Sequence, residues 1–327
     1  MENVIYSTGI DVDKKKFKVC LVAKQQGASK VKASSSFDNT KKGIKSFKDW
    51  VKRKVKDPQA EHHFVLEATG VYHEHLAHGL QGDNHLVHVV LPLRAKRYMQ
   101  SLGFKSKTDP IDAKGLAYMG IQQELDVWEP VSPSILEIRS LTRQIEAMKK
   151  ISTATKNQIE ANKHSFHAHP DVLKTLKATE RHLEKHINKL EAKVKELVMA
   201  DDFLSAKYRD MRDLKGVGLM TFTVVVAETN GFKLFKNQGQ LVSYAGYDIV
   251  ENQSGNRVGR TNISKKGNSH IRRIMHLASL SAIRCKNKSV VDLQQRVKER
   301  TGIKMKGYVA AQRKLLVIMY ALWKKGE

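Results

Sequence analysis

The chain has 327 residues, and its 58 Lys and Arg against 33 Asp and Glu give a formal net charge of +25 at pH 7. A surplus of this size on a chain that is 41% hydrophobic excludes a disordered polycation and favours a folded protein with a polyanionic partner, nucleic acid first. Two cysteines without a CxxC pair argue against a cysteine zinc site, and no apolar run approaches the roughly 20 residues that span a bilayer.

The first 125 residues alternate between strand-like and helix-like segments. Three strand-like runs come first, and a helix, a strand, a helix, a strand and a helix follow. This order predicts an antiparallel meander continued by crossover units, which is the order of an RNase H-like α/β fold, in a domain over residues 1–130. The predicted strands are Val4–Val12, Phe17–Ala23, Lys30–Phe37, His63–Leu66 and His85–Leu91, and the helices are Lys41–Val55, Val71–Leu80 and one after Pro110.

The rest of the chain is predicted to be mostly helical. Apolar residues recur at helical spacing on both sides of His169-Pro170, which predicts a helical hairpin or coiled coil over 131–205, either a spacer or a dimerisation element. Residues 206–327 form a third, mostly α section. It holds the turn Gly216-Val217-Gly218, a loop over Asn252–Asn268, and apolar helices at Ile271–Arg284 and Tyr308–Lys324.

Four acids stand at the ends of predicted elements. Asp11 lies in or at the end of the first strand, Glu67 ends the His63–Leu66 strand, and Asp109 and Asp112 share one face of a helix start. An acid inside a central strand is costly to bury without a metal or another cation. Carboxylates from two strand ends and one helix can hold Mg²⁺ or Mn²⁺ beside a scissile phosphate.

Each acid also has a purely structural interpretation. Asp109 before Pro110 is a good helix N-cap, Asp112 complements the helix dipole, and Glu67 fits a solvated strand end. Asp13 is an alternative to Asp11 if the first strand continues.

A flexible basic loop holds Ser254 together with Arg257 and Arg260. A serine that attacks a phosphodiester needs its charge balanced by guanidinium groups or metal ions. From composition alone, a loop that only contacts phosphates is favoured. Ser264 and Ser269 are competing serines.

Further phosphate contacts are predicted in the third section. Leu214-Lys215-Gly216-Val217-Gly218 is typical of the hairpin of a helix-hairpin-helix, whose backbone N–H groups hold a phosphate, and a tight helix connection is the alternative. The basic string Ser264–Arg273 adds Lys265, Lys266, Arg272 and Arg273.

These residues together resemble the DEDD transposases of the insertion-sequence-110 type, and the resemblance covers nearly the whole chain. The motifs in order are Gly9-Ile10-Asp11-Val12, Glu67-Ala68-Thr69-Gly70-Val71-Tyr72, Lys107-Thr108-Asp109-Pro110-Ile111-Asp112-Ala113, Leu214-Lys215-Gly216-Val217-Gly218, Leu241-Val242-Ser243-Tyr244-Ala245-Gly246-Tyr247, Ser254-Gly255 and Ile263-Ser264-Lys265-Lys266-Gly267-Asn268.

The resemblance implies a DNA recombinase with two catalytic parts. Asp11, Glu67, Asp109 and Asp112 would bind metal in a RuvC-like domain, and Ser254 would join transiently to a DNA 5′-phosphate, with Ser264 as the fallback. The two sites would meet between protomers of a dimer or tetramer, and the coiled-coil section would help assembly. A non-coding guide RNA would pair with donor and target double-stranded DNA, in the prokaryotic cytoplasm and without a membrane.

Two other functions fit parts of the same pattern. A metal-dependent junction-resolving endonuclease needs the acids but no serine. A non-catalytic nucleic-acid binder needs only the charge, since phosphate contacts dominate affinity; an Asp11 inside a strand argues against it.

Overall fold

The computed structural model describes residues 4–55, 57, 59–68, 70–83, 85–103, 108–251, 253–254, 257–259 and 262–325, without the side chains of 253, 254, 257 and 258. The chain divides into two compact units, Met1–Pro130 and Val131–Glu327. The predicted boundary between a linker and a third domain near residue 205 falls inside the second unit and stays a prediction.

The first unit is built on a five-stranded mixed sheet. Its order is β3-β2-β1-β4-β5, in which β1, β2 and β3 form an antiparallel meander and β4 and β5 run parallel to β1. This is the predicted RNase H-like order of strands. The elements are β1 (Ile5–Val12), β2 (Lys16–Gln25), β3 (Ala28–Asp38), α1 (Lys41–Lys54), β4 (His62–Glu67), α2 (Glu74–Gln81), β5 (Leu86–Val90), α3 (Pro92–Ser101) and α4 (Asp109–Gln122).

One helix of this unit was not predicted. Helix α3 buries only Ala95 and Tyr98 of its ten residues, so no apolar period marks it in the sequence. The predicted helix over Val71–Leu80 is also shorter, because residues 71–73 form a turn before α2 begins at Glu74.

Successive strand residues face opposite sides of the sheet, and each side has its own core. Ile10, Phe17 and Leu66 lie on one side and pack with residues of α1 and α2. On the other side α4 lies so close to β1 that a Cβ on Gly9 would overlap backbone atoms of Ala113 and Ala117. Glycine at this position therefore permits α4 to lie directly on the central strand.

The second unit opens with two long helices, α5 (Pro133–Lys163) and α6 (Pro170–Ala200). Lys149 pairs with Glu191 and Lys156 with Glu180, so the helices run antiparallel. Pro170 stands in the first turn of α6, where its missing N–H does no harm. The helical hairpin is thus present, while a coiled coil stays a prediction.

The helices that follow pack around one large apolar core. Phe222, Leu315, Met319 and Trp323 are among its fully buried side chains, so the predicted apolar segment at the C-terminal end is a buried helix. Across the described ranges, no helix combines the length and the apolar character needed to cross a bilayer. The elements are α7 (Asp202–Arg212), α8 (Leu219–Thr229), α9 (Gln238–Tyr244), β6 (Ile249–Val250), β7 (Gln253–Ser254), β8 (Arg257–Val258), β9 (Asn262–Ile263), α10 (Ser269–Arg284), α11 (Lys288–Thr301) and α12 (Lys304–Lys324).

Candidate active site

Strand register brings Asp11 and Glu67 next to each other. Ile10 and Leu66 are paired on the parallel strands β1 and β4, and each acid follows its paired residue directly. Neighbouring strands lie about 4.8 Å apart, and the two acids stand on the side opposite the buried Ile10 and Leu66. Both carboxylates are half-buried on the side that α4 covers.

Two rows of α4 side chains lead from the sheet to the other two acids. Ala113 and Ala117 lie over Gly9, and Gly120 lies against Ser7 and Val65. Helical residues four apart share a face. Asp109 continues the row of Ala113 and Ala117 by one turn, and Asp112 continues the row of Leu116 and Gly120 by one turn. Both acids therefore lie towards the ends of β1 and β4, where Asp11 and Glu67 are found.

A lysine that the sequence did not single out lies among these acids. Lys18 is paired directly opposite Asp11 on β2, so the two side chains share the α4 side of the sheet. Its Nζ lies 2.7 Å from Oδ2 of Asp109. Lys18 thus links the start of α4 to β2 and balances part of the acidic charge.

The acids share one end of one face but do not converge on a point. Within the described residues, no three His, Cys, Asp or Glu side chains lie close enough together to hold one metal ion. Asp13, the alternative to Asp11, is exposed in the turn after β1, where its N–H donates to the Lys16 carbonyl. Thr108, not Asp109, is the N-cap residue of α4, so the interpretation of Asp109 as a cap is wrong.

In the second unit, Ser254 lies on an arm formed by two short ladders. Ile249 and Val250 of β6 pair with β9, and further along Ser254 of β7 pairs with Arg257 of β8. The register therefore places the backbone of an arginine directly opposite the serine. Arg260 and the side chains of Ser254 and Arg257 lie outside the described residues.

The base of this arm joins two segments that lie far apart in the sequence, the Leu241–Tyr247 motif and the Ile263–Asn268 motif. Asn268 N–H donates to Tyr244 O at 2.7 Å, and Lys265 N–H donates to Gly246 O at 3.1 Å. The fallback serine, Ser264, is half-buried, and its Oγ accepts from Lys266 N–H at 3.3 Å. Lys265 and Lys266 are exposed beside it.

An ion pair between the half-exposed Arg143 and the buried Glu228 holds Asn268 in place. Arg143 of α5 donates to both oxygens of Glu228, which is 2% exposed, at 2.8 and 2.9 Å, and Asn268 Nδ2 adds a bond of 2.7 Å. Burial alone would raise the pKa of Glu228, but the hydrogen bonds from Arg143 and Asn268 outweigh it and lower this pKa. No motif in the sequence pointed to Arg143 or Glu228, because they are 85 residues apart.

The glycine turn between α7 and α8 packs against α10. Gly216 has a φ of +100°, and a Cβ there would meet Ala278 O at 2.6 Å and Ala282 Cβ at 2.5 Å. Packing therefore requires Gly216. Lys215 and Gly218 are exposed, and a phosphate contact by this turn stays a prediction.

Two family models match the chain. One is described as "Transposase", DEDD_Tnp_IS110, and matches residues 8–163, and the other is described as "Transposase IS116/IS110/IS902 family" and matches residues 208–293. Together they span about three quarters of the chain. The chain belongs to the IS110 family of transposases. This transposase is therefore an enzyme that cuts and rejoins DNA.

Curated relatives agree with this assignment. The transposase is 26% identical to a pilin gene-inverting protein of Moraxella bovis over 321 residues, 96% of this chain and 94% of the relative. It is 25% identical to a protein of the same name from Moraxella lacunata, with the same coverage. Among solved structures, Thermus thermophilus RuvC is 13% identical, with 37% of this chain and 99% of that chain covered and a TM-score of 0.29. A likeness this weak adds nothing to the topology described above.

Proposed function

We propose that this transposase is a site-specific recombinase in which Asp11, Glu67, Asp109 and Asp112 bind divalent cations and Ser254 is the nucleophile. One observation carries the first half. The register of β1 with β4 and the two rows of α4 direct all four acids to the same end of the same face of the sheet.

The donor set fits Mg²⁺ or Mn²⁺. It consists of carboxylate oxygens, which these hard cations prefer, and it lacks the thiolates and imidazoles that select zinc. When bound, such ions lower the pKa of an attacking hydroxyl and stabilise the leaving oxygen at a phosphodiester. Because Lys18 bonds to Asp109, a metal ion held by this carboxylate would have to compete with the ammonium for it.

The second half of the proposal concerns the short strands β6 to β9, which include Ser254. The β7–β8 ladder holds Ser254, with the backbone of Arg257 opposite it, and the β6–β9 ladder lies nearby in the sequence on either side. Guanidinium groups balance the charge that develops when a hydroxyl attacks phosphate. The gene-inverting relatives support rejoining rather than cutting alone, since inversion keeps the DNA strands continuous.

Trapping the covalent intermediate tests the nucleophile. We expect the wild-type protein, incubated with its element's end sequences and Mg²⁺, to form a protein–DNA adduct on a denaturing gel. Ser254→Ala abolishes the adduct, whereas the matched variant Ser264→Ala keeps it. An adduct in Ser254→Ala that is lost in Ser264→Ala moves the nucleophile to Ser264. Cleavage without any adduct, lost in Asp11→Ala, assigns a junction-resolving endonuclease.

Assembly and guidance are the remaining parts of the proposal. The protein works as a homodimer or tetramer on donor and target double-stranded DNA, guided by a non-coding RNA of its own element. The net charge of +25 supports several nucleic-acid contacts. Sequencing the RNA that co-purifies with the protein tests guidance: one abundant species encoded beside the gene is expected, and random RNA fragments contradict it.

A further inference from the structure

An open cleft of about 720 Å³ lies between α5 and α10 in the second unit. Lys149 and Lys156 of α5 line one wall, and Arg272, Arg273 and His276 of α10 line the other. Among the described residues, no acidic side chain lines it. The cleft therefore presents hydrogen-bond donors and positive charge to whatever enters it.

Three of the cations that line the cleft are already paired with acids. Lys149 Nζ lies 2.6 Å from Glu191, Lys156 Nζ lies 3.4 Å from Glu180, and Arg273 lies 3.0 Å from Glu146. The two lysine side chains are 49% and 54% exposed, and pairs of this kind stabilise a protein little. The two lysines can therefore leave these carboxylates and bind a more highly charged anion in the cleft.

A buried relay sets the hydrogen-bonding state of His276. Tyr247 OH donates to Gln312 Oε1 at 3.0 Å, and the Gln312 amide nitrogen faces His276 Nδ1 at 3.1 Å. Because the amide nitrogen can only donate, Nδ1 must accept. A neutral His276 then carries its proton on Nε2, at the other edge of the ring, as a donor for a ligand in the cleft.

We propose that this cleft binds the phosphodiester backbone of a nucleic acid, with Lys149, Lys156 and the two arginines as cationic contacts and His276 as a neutral donor. Such contacts position a strand without reading its sequence. The inference rests on the protein acting on nucleic acid, but it needs neither the metal site nor the serine.

The test measures affinity of the full-length protein by fluorescence anisotropy, with a labelled DNA duplex and an RNA hairpin of equal length, over a series of salt concentrations. Lys149→Ala and Lys156→Ala each weaken binding on the order of threefold to tenfold and reduce the salt slope by about 0.7–0.9, one phosphate contact. His276→Ala weakens binding without changing the slope, because it removes no charge. Thermal unfolding checks that each variant is folded.

Matched control variants distinguish binding in the cleft from the general attraction between a positively charged protein and nucleic acid. Lys163→Ala removes the same charge from an exposed, ion-paired lysine at the end of α5 and leaves affinity and slope near wild type. Glu191→Gln frees Lys149 and tightens binding, whereas Glu196→Gln, which releases Lys193 outside the cleft, does not. These two substitutions change the net charge equally.

The outcomes are distinct. If the lysine variants lose affinity for the duplex alone, the cleft binds DNA, and if they lose affinity for the hairpin alone, it binds RNA. Either result supports the proposal. Folded Lys149→Ala and Lys156→Ala variants that behave like Lys163→Ala overturn it. A competition experiment tests the alternative ligand. If poly-glutamate, added at the same total charge as the nucleic acid, displaces nucleic acid from wild type but not from these two variants, the proposal is overturned and an acidic protein segment is the ligand. Failure of the catalytic proposal is visible separately, since Asp11→Ala and Ser254→Ala lose chemistry but keep wild-type anisotropy.

Discussion

Lys18 Nζ lies 2.7 Å from Asp109 Oδ2, a contact between β2 and the start of α4 across 91 residues of sequence. Lys18 also stands opposite Asp11 in the β1–β2 ladder. The same lysine therefore bonds to one of the four acids to which we assign the metal and is the cross-strand partner of another. The Lys18 ammonium is positively charged, like the metal ion that those acids are proposed to bind, so the two compete for the same carboxylates.

Replacing this lysine is expected to raise the affinity for divalent metal. In Lys18→Gln the metal no longer displaces an ammonium or is repelled by it, and we expect the dissociation constant for Mn²⁺ to fall on the order of tenfold, or about 1.4 kcal/mol. In metal-free buffer the same variant melts at a lower temperature, because the acids lose their counter-charge. Isothermal titration calorimetry and thermal unfolding measure the two effects.

Lys24→Gln is the control for this variant. The Lys24 side chain lies on the same side of the sheet as that of Lys18 but about 20 Å further along β2. Its replacement is therefore expected to leave the metal affinity unchanged. Equal affinity in wild type and Lys18→Gln rules out competition by Lys18. If wild type itself binds no divalent ion, the metal proposal fails instead.

The close approach of α4 to β1 makes Gly9 sensitive to any side chain. A Cβ at this position overlaps the Ala113 carbonyl oxygen and the Ala117 amide nitrogen, and backbone atoms cannot rotate away. We expect Gly9→Ala to lower the free energy of unfolding by about 1–3 kcal/mol or more and to reduce DNA cleavage, because α4 moves and carries Asp109 and Asp112 with it.

The matched control is Gly79→Ala in the interior of α2. A Cβ there meets nothing closer than 3.8 Å, so the added methyl is expected to leave stability unchanged or to raise it by up to about 1 kcal/mol. Urea denaturation compares the variants. A Gly9→Ala protein that unfolds at the wild-type urea concentration contradicts the packing argument.

The Arg143–Glu228 pair is expected to be a main support of the second unit. Arg143→Met leaves the buried Glu228 carboxylate with only its Asn268 hydrogen bond, and because Arg143 itself is half exposed we expect the free energy of unfolding to fall by about 1–3 kcal/mol. The double variant Arg143→Met/Glu228→Gln recovers part of this loss, since the buried charge is gone. Arg212→Met, which breaks an exposed contact of 3.8 Å, serves as control and shifts stability by less than about 0.5 kcal/mol. Equal effects of Arg143→Met and Arg212→Met in urea denaturation contradict the assignment.

The sequence predicted the elements whose residues follow a clear period. The alternation in β1 and β2 and the spacing in α1 reproduce the observed elements to within a few residues, and the order of strands follows from them. Helix α3 has no such period and was missed. The long helices on either side of His169-Pro170 were predicted because their apolar spacing persists over many turns.

Sequence patterns were less informative about the site. They placed Asp11 and Glu67 at strand ends, and the observed register makes these two acids neighbours. They did not indicate Lys18, because one lysine among 58 Lys and Arg carries no signal until the β1–β2 ladder sets its position. The partners of Glu228 and the relay from Tyr247 to His276 likewise depend on long-range packing that no local pattern encodes.

The stability of the first unit is expected to fall as the pH is lowered, and His62 is the reason. Burial, together with the smaller effect of the nearby His85 and His63, lowers the pKa of His62 to about 3. The ring stacks on Phe64 with the centroids 4.2 Å apart, and its Nε2 bonds to Thr8 Oγ1 at 2.8 Å. An unfolded histidine titrates near 6.5, so the stability that the neutral ring contributes is complete above that pH. It is lost as the pH falls from about 6.5 towards 3, amounting to about 2 kcal/mol between pH 7.5 and pH 5.

A glutamine at position 62 isolates this effect. His62→Gln keeps a hydrogen-bonding group for Thr8 but cannot be protonated, so its free energy of unfolding, measured with urea at both pH values, is expected to fall less between them than that of wild type. His75→Gln replaces an exposed histidine and keeps the wild-type pH dependence. Burial lowers the pKa of His88 as well, and a residual slope in His62→Gln is expected from it. If wild type and His62→Gln lose stability equally on acidification, the buried ring of His62 is not what opposes protonation of the folded unit.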